Sequence, residues 1–187
     1  MAANVPDPPE RMTAPAFLRR YCGTRARGEL VHGDVVAMAS ERAAHNRLKT
    51  TALRALTDAS AARPACETFT DGMSVVIDDT TVYEPNAALR CGARLDRNAI
   101  AYDDPVIVIK VTSPSSGSRD VHTKLAGYFS LLSAQHYLIL DPERRVAVHL
   151  ARTEGPALAT SSLTGGALAL DPPGLTLDLD ALFAVLD

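Results

Sequence analysis

One lysine interrupts the most hydrophobic segment of the chain. Lys110 lies within residues 106–112, a β-branched run that is otherwise apolar on both faces, as expected for a strand at the centre of a sheet. A lysine buried there without a partner would be costly, so Lys110 must pair with a carboxylate, lose its proton or reach solvent. The carboxylates nearest to it in sequence are Asp103, Asp104 and Asp120.

A second group of polar residues follows on the next helical segment. Asp120, Lys124 and Tyr128 are spaced four residues apart, so they share one face of a helix. The simplest interpretation is an exposed ion pair between Asp120 and Lys124, worth about 0.3–0.5 kcal/mol. The sequence contains no phosphate-binding loop of the Walker type, no GxGxxG, no GxSxG and no HExxH motif. The five histidines show no metal-ligand spacing, and we expect His149, on an alternating strand, to be structural or exposed.

The segment before Lys110 carries three further features in a defined order. Glu29 opens a hairpin with an apolar pair and a glycine turn, and His45 lies at the start of a long helical segment. Asn86 follows Pro85 at the beginning of an apolar strand. Each feature is weak alone, but their order and spacing are informative.

Taken with the segments around Lys110 and Lys124, this order resembles the bacterial Uma-type endonuclease family of the PD-(D/E)xK nuclease superfamily. Pro85-Asn86 resembles the family's Pro-Asp strand. Lys110 is followed by Val-Thr-Ser-Pro-Ser-Ser, and this segment resembles a block of the family that reads apolar-Glu-Val-x-Ser-Pro-Ser-Thr. The Asp120, Lys124 and Tyr128 helix and the strand that ends in Asp141-Pro142 also match the family's pattern. The resemblance covers about residues 28–150.

The resemblance implies metal-assisted hydrolysis of phosphodiester bonds, with DNA as the expected partner. In the family an aspartate and a glutamate on adjacent strands hold Mg²⁺, which prefers oxygen ligands and activates a bound water. A lysine stabilises the developing charge. Lys124 fits that role, because Thr112 occupies the strand position at which the superfamily more commonly carries the lysine. The family-like positions outside this set are Glu29, His45 and Tyr128.

The sequence departs from the family at the two metal ligands. Asn86 stands in place of the aspartate and Lys110 in place of the glutamate, which makes the site more positive by three charges and disfavours Mg²⁺. Hydrolysis would then need displaced carboxylates, for which Glu84, Asp104 and Asp120 are the candidates. We therefore expect a degenerate metal site, impaired in hydrolysis, in a protein that acts by binding or regulation. An active Mg²⁺-dependent endonuclease is the alternative.

Two consequences of this exchange remain open at the level of sequence. Lys110 could pair with Asp120 or Glu29 and leave a structural salt bridge in an inactive site. Alternatively Asn86, Lys110 and Lys124 could converge and hold a phosphate or carboxylate without cutting, because lysine can replace the charge of a metal.

Periodicity and turn residues predict the elements that position these side chains. We expect an α/β or α+β fold, in which a restriction-endonuclease-like mixed sheet is flanked by helices and preceded by an N-terminal hairpin. Ser40 and Asp180 are the expected caps of a long helix and of the last helix, and the order strand–helix–strand predicts a parallel pair of strands. The predicted segments are helices over 13–21, 40–62, 118–132 and 181–186, a hairpin over 28–38, and strands over 67–70, 73–77, 87–89, 106–112, 136–140, 146–150, 157–159, 167–170 and 175–177.

Composition limits the class of protein. The 187 residues are 47% hydrophobic and 22% charged, with a net charge of −3, which excludes fibrous and disordered classes. We expect residues 1–12 to form a disordered lead-in and 13–187 a single domain. Three cysteines without a CxxC pair and no apparent signal or membrane segment predict free thiols and a cytoplasmic location. A homodimer is possible by analogy with nucleases that cut both strands.

Overall fold

The computed structural model describes residues 11–21, 24, 27–112 and 118–187, with side chains described from residue 122 onward in the last segment. Residues 1–10 of the predicted lead-in lie outside this part of the chain. Met12, at the end of that lead-in, donates its amide to Gly33 O at 3.0 Å. The helices within these residues are α1 (Ala14–Tyr21), α2 (Ala43–Ala59), α3 (Ser118–Ser130) and α4 (Leu179–Ala184).

The strands within the described residues are distributed over three sheets. The first sheet contains β1 (Gly28–Val31), β2 (Asp34–Ala37), β4 (Ser74–Asp78), β5 (Thr81–Tyr83) and β7 (Ala101–Tyr102). The central sheet contains β3 (Cys66–Thr70), β6 (Ala87–Cys91), β8 (Pro105–Val111), β9 (His136–Asp141), β10 (Val146–Arg152) and β11 (Leu158–Leu163). The third is the hairpin of β12 (Ala167–Leu170) and β13 (Leu175–Asp178).

The strand order of the central sheet is β11-β10-β9-β8-β6-β3, with β8 and β9 parallel. Strands β6, β8 and β9 are buried along nearly their whole length, because helices cover both faces. Leu48 and Leu56 of α2 belong to the apolar cluster on one face. Tyr128 of α3 belongs to the cluster on the other face. The predicted crossover and parallel pair are therefore confirmed, as is the mixed α and β class.

The sequence-based expectations needed correction at several points. A single mixed sheet was expected, and the meander over 66–91 is instead divided, because β3 pairs with β6 while β4 and β5 join the first sheet. Ser40 does not cap α2, whose N-cap position is Arg42 without a side-chain hydrogen bond. Asp178, rather than Asp180, caps α4 by accepting the amides of Asp180 and Ala181.

The prediction of three free thiols was wrong for two of the cysteines. Cys66 and Cys91 form a disulfide, with a Cα–Cα distance of 4.0 Å. They are 25 residues apart in sequence, but the antiparallel pairing of β3 with β6 places them directly opposite each other. Cys22 lies outside the described residues. No helix of the described part of the chain is long and apolar enough to cross a membrane.

Candidate functional site

Asn86 and Lys110 lie side by side at one end of the β6–β8 pair. Ala87 pairs with Ile109 in antiparallel register, so the next residue of each strand, Asn86 and Lys110, comes opposite the other. By the alternation of side chains along a strand, both lie on the face of Ala88 and Val108, which is the face that α3 covers. Asn86 is 1% exposed, and Lys110 is half-buried.

Two side chains take the place of a missing strand beside Val111. Strand β6 begins at Ala87, too late to pair with the last residue of β8. The amide of Val111 instead donates to Asn86 Oδ1 at 2.8 Å, and its carbonyl accepts from His45 Nε2 at 3.0 Å. The side chains of Asn86 and His45 are thus both held by backbone groups of Val111, the residue that follows Lys110.

The same two side chains each leave one polar atom without a hydrogen-bond partner in the described part of the chain. These atoms are Asn86 Nδ2 and His45 Nδ1, and both are buried. The Nδ2 group is a donor, whereas an aspartate at this position would present a second oxygen acceptor. Since Nε2 of His45 carries the proton donated to Val111 O, Nδ1 is an acceptor when the ring is neutral.

A buried ion pair joins α3 to the N-terminal hairpin. Lys124 Nζ lies 2.6 Å from Glu29 Oε2, and both side chains are about 5% exposed. Glu29 Oε1 also accepts the amide of Glu84 at 2.9 Å. The ammonium lies 5.9 Å from the ring centre of Tyr83. Gly127 allows α3 to approach this ring, because a Cβ there would come within 2.6 Å of Tyr83.

The ion pair continues into a network that the sequence interpretation did not include. Arg27 bonds Glu84 and lies 2.6 Å from Asp71 Oδ2. The same carboxylate of Asp71 lies 3.0 Å from Lys49 Nζ, which also binds Glu41 at 2.5 Å. The signal that could have revealed this network lies at the start of α2 and just before it, where Glu41, His45 and Lys49 are spaced four residues apart. Lys49 also interrupts the apolar face of the helix. Arg27 and Asp71 gave no such signal.

The network lowers the pKa of two of its carboxyl groups, those of Asp71 and Glu41. Burial alone would raise the pKa of Asp71, but hydrogen bonds from Lys49, Thr70 and Arg27 outweigh burial and the pKa is lowered. The pKa of Glu41 is likewise lowered, since bonds from Lys49 and Asn46 outweigh the effect of burial. These carboxylates are therefore ionised at neutral pH.

His45 is affected in the opposite way. Burial lowers its pKa, and the positive charges of Lys110 and Lys49 lower it further, against the effects of Glu41 and the bond to Val111 O. Glu41 Oε2 lies 3.6 Å from Nδ1. The ring is therefore neutral at pH 7, with its free nitrogen among charged neighbours.

The remaining candidate residues fall into separate places. Asp104 lies at the opposite end of the β6–β8 pair, where its carboxylate bonds Arg90 at 2.7 Å through both oxygens. Four residues of β6 separate Arg90 from Asn86, about 13 Å along a strand. Asp120 is in the first turn of α3, and its side chain lies outside the described part of the chain. Tyr128 is buried against Tyr83 and Tyr137, and burial raises its pKa.

The charges of the described side chains around Asn86 balance without a metal. The carboxylates are Glu29, Glu41, Asp71 and Glu84, and the cations are Arg27, Lys49, Lys110 and Lys124. With the family's carboxylates at positions 86 and 110, the same set would carry three negative charges. Among the described residues there is no group of three or more His, Cys, Asp or Glu side chains arranged to hold a metal ion.

Comparison with known proteins identifies the family. The model of the Uma2 family, described as "Putative restriction endonuclease", matches residues 14–182. The fold is similar to the crystal structure of a "putative nuclease belonging to DUF820" from Anabaena variabilis, with a TM-score of 0.75 and 14% identity, over 94% of this chain and 99% of that one. A search of curated proteins found no match. Because the family match spans most of its length, the chain belongs to the Uma2 family.

Proposed function

We propose that this protein binds nucleic acid at the family's catalytic position without cutting it by metal-assisted hydrolysis, and so acts as a binding or regulatory protein. The observation that supports this most directly is the charge balance around Asn86. A Mg²⁺ site requires an excess of negative charge to compensate for dehydrating the ion. Here the described cations and carboxylates already neutralise one another, so an added divalent cation would be electrostatically unfavourable.

The side-chain atoms available as metal ligands around Asn86 also disfavour Mg²⁺. Asn86 Oδ1 already accepts the amide of Val111, and the other end of its side chain is an NH₂ group, which cannot ligate a metal. Lys110 carries an ammonium group, which has no lone pair with which to ligate a metal. Glu29 and Glu84, the buried carboxylates of the described residues, are held by Lys124 and Arg27. These residues do not fit Mg²⁺, and we derive no hydrolytic step through it.

The groups that replace the metal ligands suit an anion. Leaving a buried amide donor unpaired costs about 1–3 kcal/mol, and a phosphate oxygen presented to Asn86 Nδ2 would remove this cost. Lys110, opposite Asn86, supplies positive charge next to that donor. His45 can add a second donor, because the negative charge of a bound phosphate would favour protonation of Nδ1. Lys124 is paired with Glu29, so the anion-binding group that we propose consists of Asn86, Lys110 and His45.

The alternative, hydrolysis by displaced carboxylates, would use residues that are engaged elsewhere. Glu84 accepts from Arg27 and from the Gly72 amide, and Asp104 is paired with Arg90. Freeing Glu84 would break its bonds to Arg27 and to the Gly72 amide, and freeing Asp104 would break both of its bonds to Arg90. The third candidate, Asp120, would by itself supply a metal ion with a single carboxylate ligand.

The test combines metal binding, nucleic-acid binding and cleavage. Mg²⁺ and Mn²⁺ binding is measured by calorimetry, and cleavage is assayed on supercoiled and single-stranded DNA, for the natural protein and the Asn86→Asp/Lys110→Glu double variant. We expect binding of DNA without cleavage by the natural protein, and metal binding only by the double variant. Cleavage by the natural protein that Lys124→Ala abolishes would establish the alternative.

We further propose a homodimeric state, by analogy with nucleases that cut both strands, and the cytoplasmic location that the cysteine pattern of the sequence suggested. The Cys66–Cys91 disulfide bears on the location, because disulfides are uncommon in reducing compartments. Thiol labelling of the protein in intact producing cells measures its oxidation state. A fully oxidised pair there would contradict a reducing cytoplasm.

A further inference from the structure

We propose that the Cys66–Cys91 disulfide is a modification site, at which a small thiol enters by exchange and becomes attached to Cys66 rather than to Cys91. The inference does not depend on the proposed function. Both cysteines are half-buried, and exposed disulfides are the ones that exchange readily. Of the two, Cys66 lines a cavity of about 380 Å³. That volume lies within the range of small-molecule sites, about 300–1,000 Å³.

The cavity lies along the edge of the central sheet rather than over one of its faces. Residues 64–69 form most of its wall, together with Gly92 and Arg94. Because successive side chains of a strand point to opposite faces, a cavity that contacts four successive residues of β3 must follow the edge of that strand. Strand β3 is the outermost strand of its sheet, and β6 separates it from β8. A molecule in the cavity therefore approaches Cys66 from outside the sheet.

Exchange at Cys66 requires this direction of approach. A thiolate attacks one sulfur of a disulfide from the side opposite to the bond that breaks, and access decides which sulfur reacts. The bond joins an edge strand to an inner strand, because Cys66 and Cys91 are direct partners in the pairing of β3 with β6. Its continuation beyond Cys66 leads over the sheet edge toward the cavity, whereas its continuation beyond Cys91 leads toward β8. Cys66 Sγ is therefore the sulfur that a thiol can reach.

The exchange step conserves the number of disulfide bonds. The incoming thiol loses its proton to water, and the resulting thiolate forms a bond to Cys66 Sγ. The bond between the two cysteines breaks, its electron pair goes to Cys91 Sγ, and the Cys91 thiolate takes up a proton. The products are a mixed disulfide on Cys66 and a thiol at Cys91. Attack by the Cys91 thiolate on Cys66 Sγ reverses the step and releases the small thiol.

Contacts other than the disulfide hold β3 beside β6 while the bond is open. The two strands are paired in antiparallel register along the whole of β3, and Gly92 donates its amide to Ala65 O at 2.8 Å just beyond the disulfide. Thr68 also bonds Thr57 of α2 through their hydroxyl oxygens, which are 2.8 Å apart. Exchange therefore needs no unfolding, and the Cys91 thiol stays close enough to Cys66 to close the bond again.

The test identifies the sulfur that receives the thiol. The full chain, in a Cys22→Ser background that removes the third thiol, is incubated with excess reduced glutathione, quenched with acid, alkylated with a maleimide and mapped by tandem mass spectrometry. We expect glutathione on Cys66 and the maleimide on Cys91. Single thiols give the reciprocal measurement, since Cys91→Ser leaves the Cys66 thiol and Cys66→Ser leaves the Cys91 thiol. The Cys66 thiol should react with oxidised glutathione about tenfold faster or more.

A matched pair of variants separates access through the cavity from exchange through unfolding. Ala65→Trp fills the cavity from an exposed residue of its wall and should slow the opening of the disulfide by glutathione about tenfold. Ala62→Trp places the same side chain on an exposed residue before the wall begins and should leave the rate unchanged. Thermal melting confirms that every variant is folded.

Four results would overturn the proposal. The first is glutathione on Cys91, or equally on both cysteines. The second is a pair of single thiols that react equally fast. The third is a disulfide that glutathione does not open unless urea is added, which would mean that exchange requires unfolding. The fourth is an equal rate of opening in the two tryptophan variants, which would mean that the cavity is not the route of entry.

Discussion

The pair between Lys124 and Glu29 should contribute strongly to the stability of the fold. Replacing Lys124 with methionine keeps the length of the side chain and removes its charge. Glu29, about 6% exposed, would then be a buried carboxyl group without the ammonium, with the Glu84 amide at 2.9 Å as its remaining described partner. Removing one member of a buried pair costs about 3–5 kcal/mol. For a chain of this length, that loss lowers Tm by about 6–20 °C.

The assay is urea denaturation followed by far-UV circular dichroism, with Lys124→Met, Glu29→Gln and the double variant compared in one buffer. We expect the double variant to be more stable than the sum of the single losses predicts, by at least about 1 kcal/mol, because neither charge is left unpaired. Glu143→Gln is the matched control, since Glu143 pairs with Arg42 at 3.8 Å on the surface and such pairs contribute less than about 1 kcal/mol. A loss below about 1 kcal/mol in Lys124→Met, or strictly additive losses, would refute the reasoning.

Three further perturbations have defined outcomes. Cys66→Ser/Cys91→Ser opens a loop of 25 residues and should lower the free energy of unfolding by about 3.5 kcal/mol in urea titration; an unchanged midpoint would mean that the crosslink does not constrain the unfolded chain. His149 donates to His136 Nδ1 at 2.9 Å, and burial, followed by the charge of His136, lowers its pKa to about 4. The neutral form of His149 therefore contributes stability that is present above about pH 6.5 and is lost as the pH falls toward 4. The free energy of unfolding should fall in this range by at most about 1.4 kcal/mol per pH unit. His149→Gln should flatten this part of the curve of stability against pH. Asp178→Ala removes the cap that accepts two amides of α4 and should cost about 1 kcal/mol, whereas Asp180→Ala should leave the helix start unchanged in amide exchange.

The parts of the fold that the sequence predicted are single elements whose structure follows from residues close together in the chain. The apolar run around Val108 reads as a central strand because burial on both faces leaves no alternation, and the spacing of Leu48, Ala52 and Leu56 reads as a helix because it follows the helical repeat. The hairpin at His32-Gly33 was predictable because its turn requires positive φ, which both residues adopt. Each of these signals is local in sequence.

The errors concern relations between elements. The disulfide was missed because Cys66 and Cys91 come together only through the register of β3 with β6, which no local pattern specifies. The division into three sheets was missed for the same reason, since β4 and β5 resemble continuations of a meander until the partner of β5, strand β1, is known. In the candidate site, the partner of Glu29 was expected to be Lys110 or left open, and proved to be Lys124.

The charge of the whole chain and the charge of the site lead to different conclusions about nucleic acid. A net charge of −3 argues mildly against binding a polyanion, but screening limits such long-range effects to about 10 Å at ordinary ionic strength. What a bound phosphate would experience is the group at the end of β8, where the sequence resemblance predicts that Lys110 and the Asn86 amide replace two carboxylates of the family. The neighbouring carboxylates are held by Arg27, Lys49 and Lys124, so the set is neutral with Lys110 and would carry three negative charges with carboxylates at positions 86 and 110. The choice between holding a metal and holding an anion therefore depends on two residues, and exchanging only those two should move the site from one behaviour to the other.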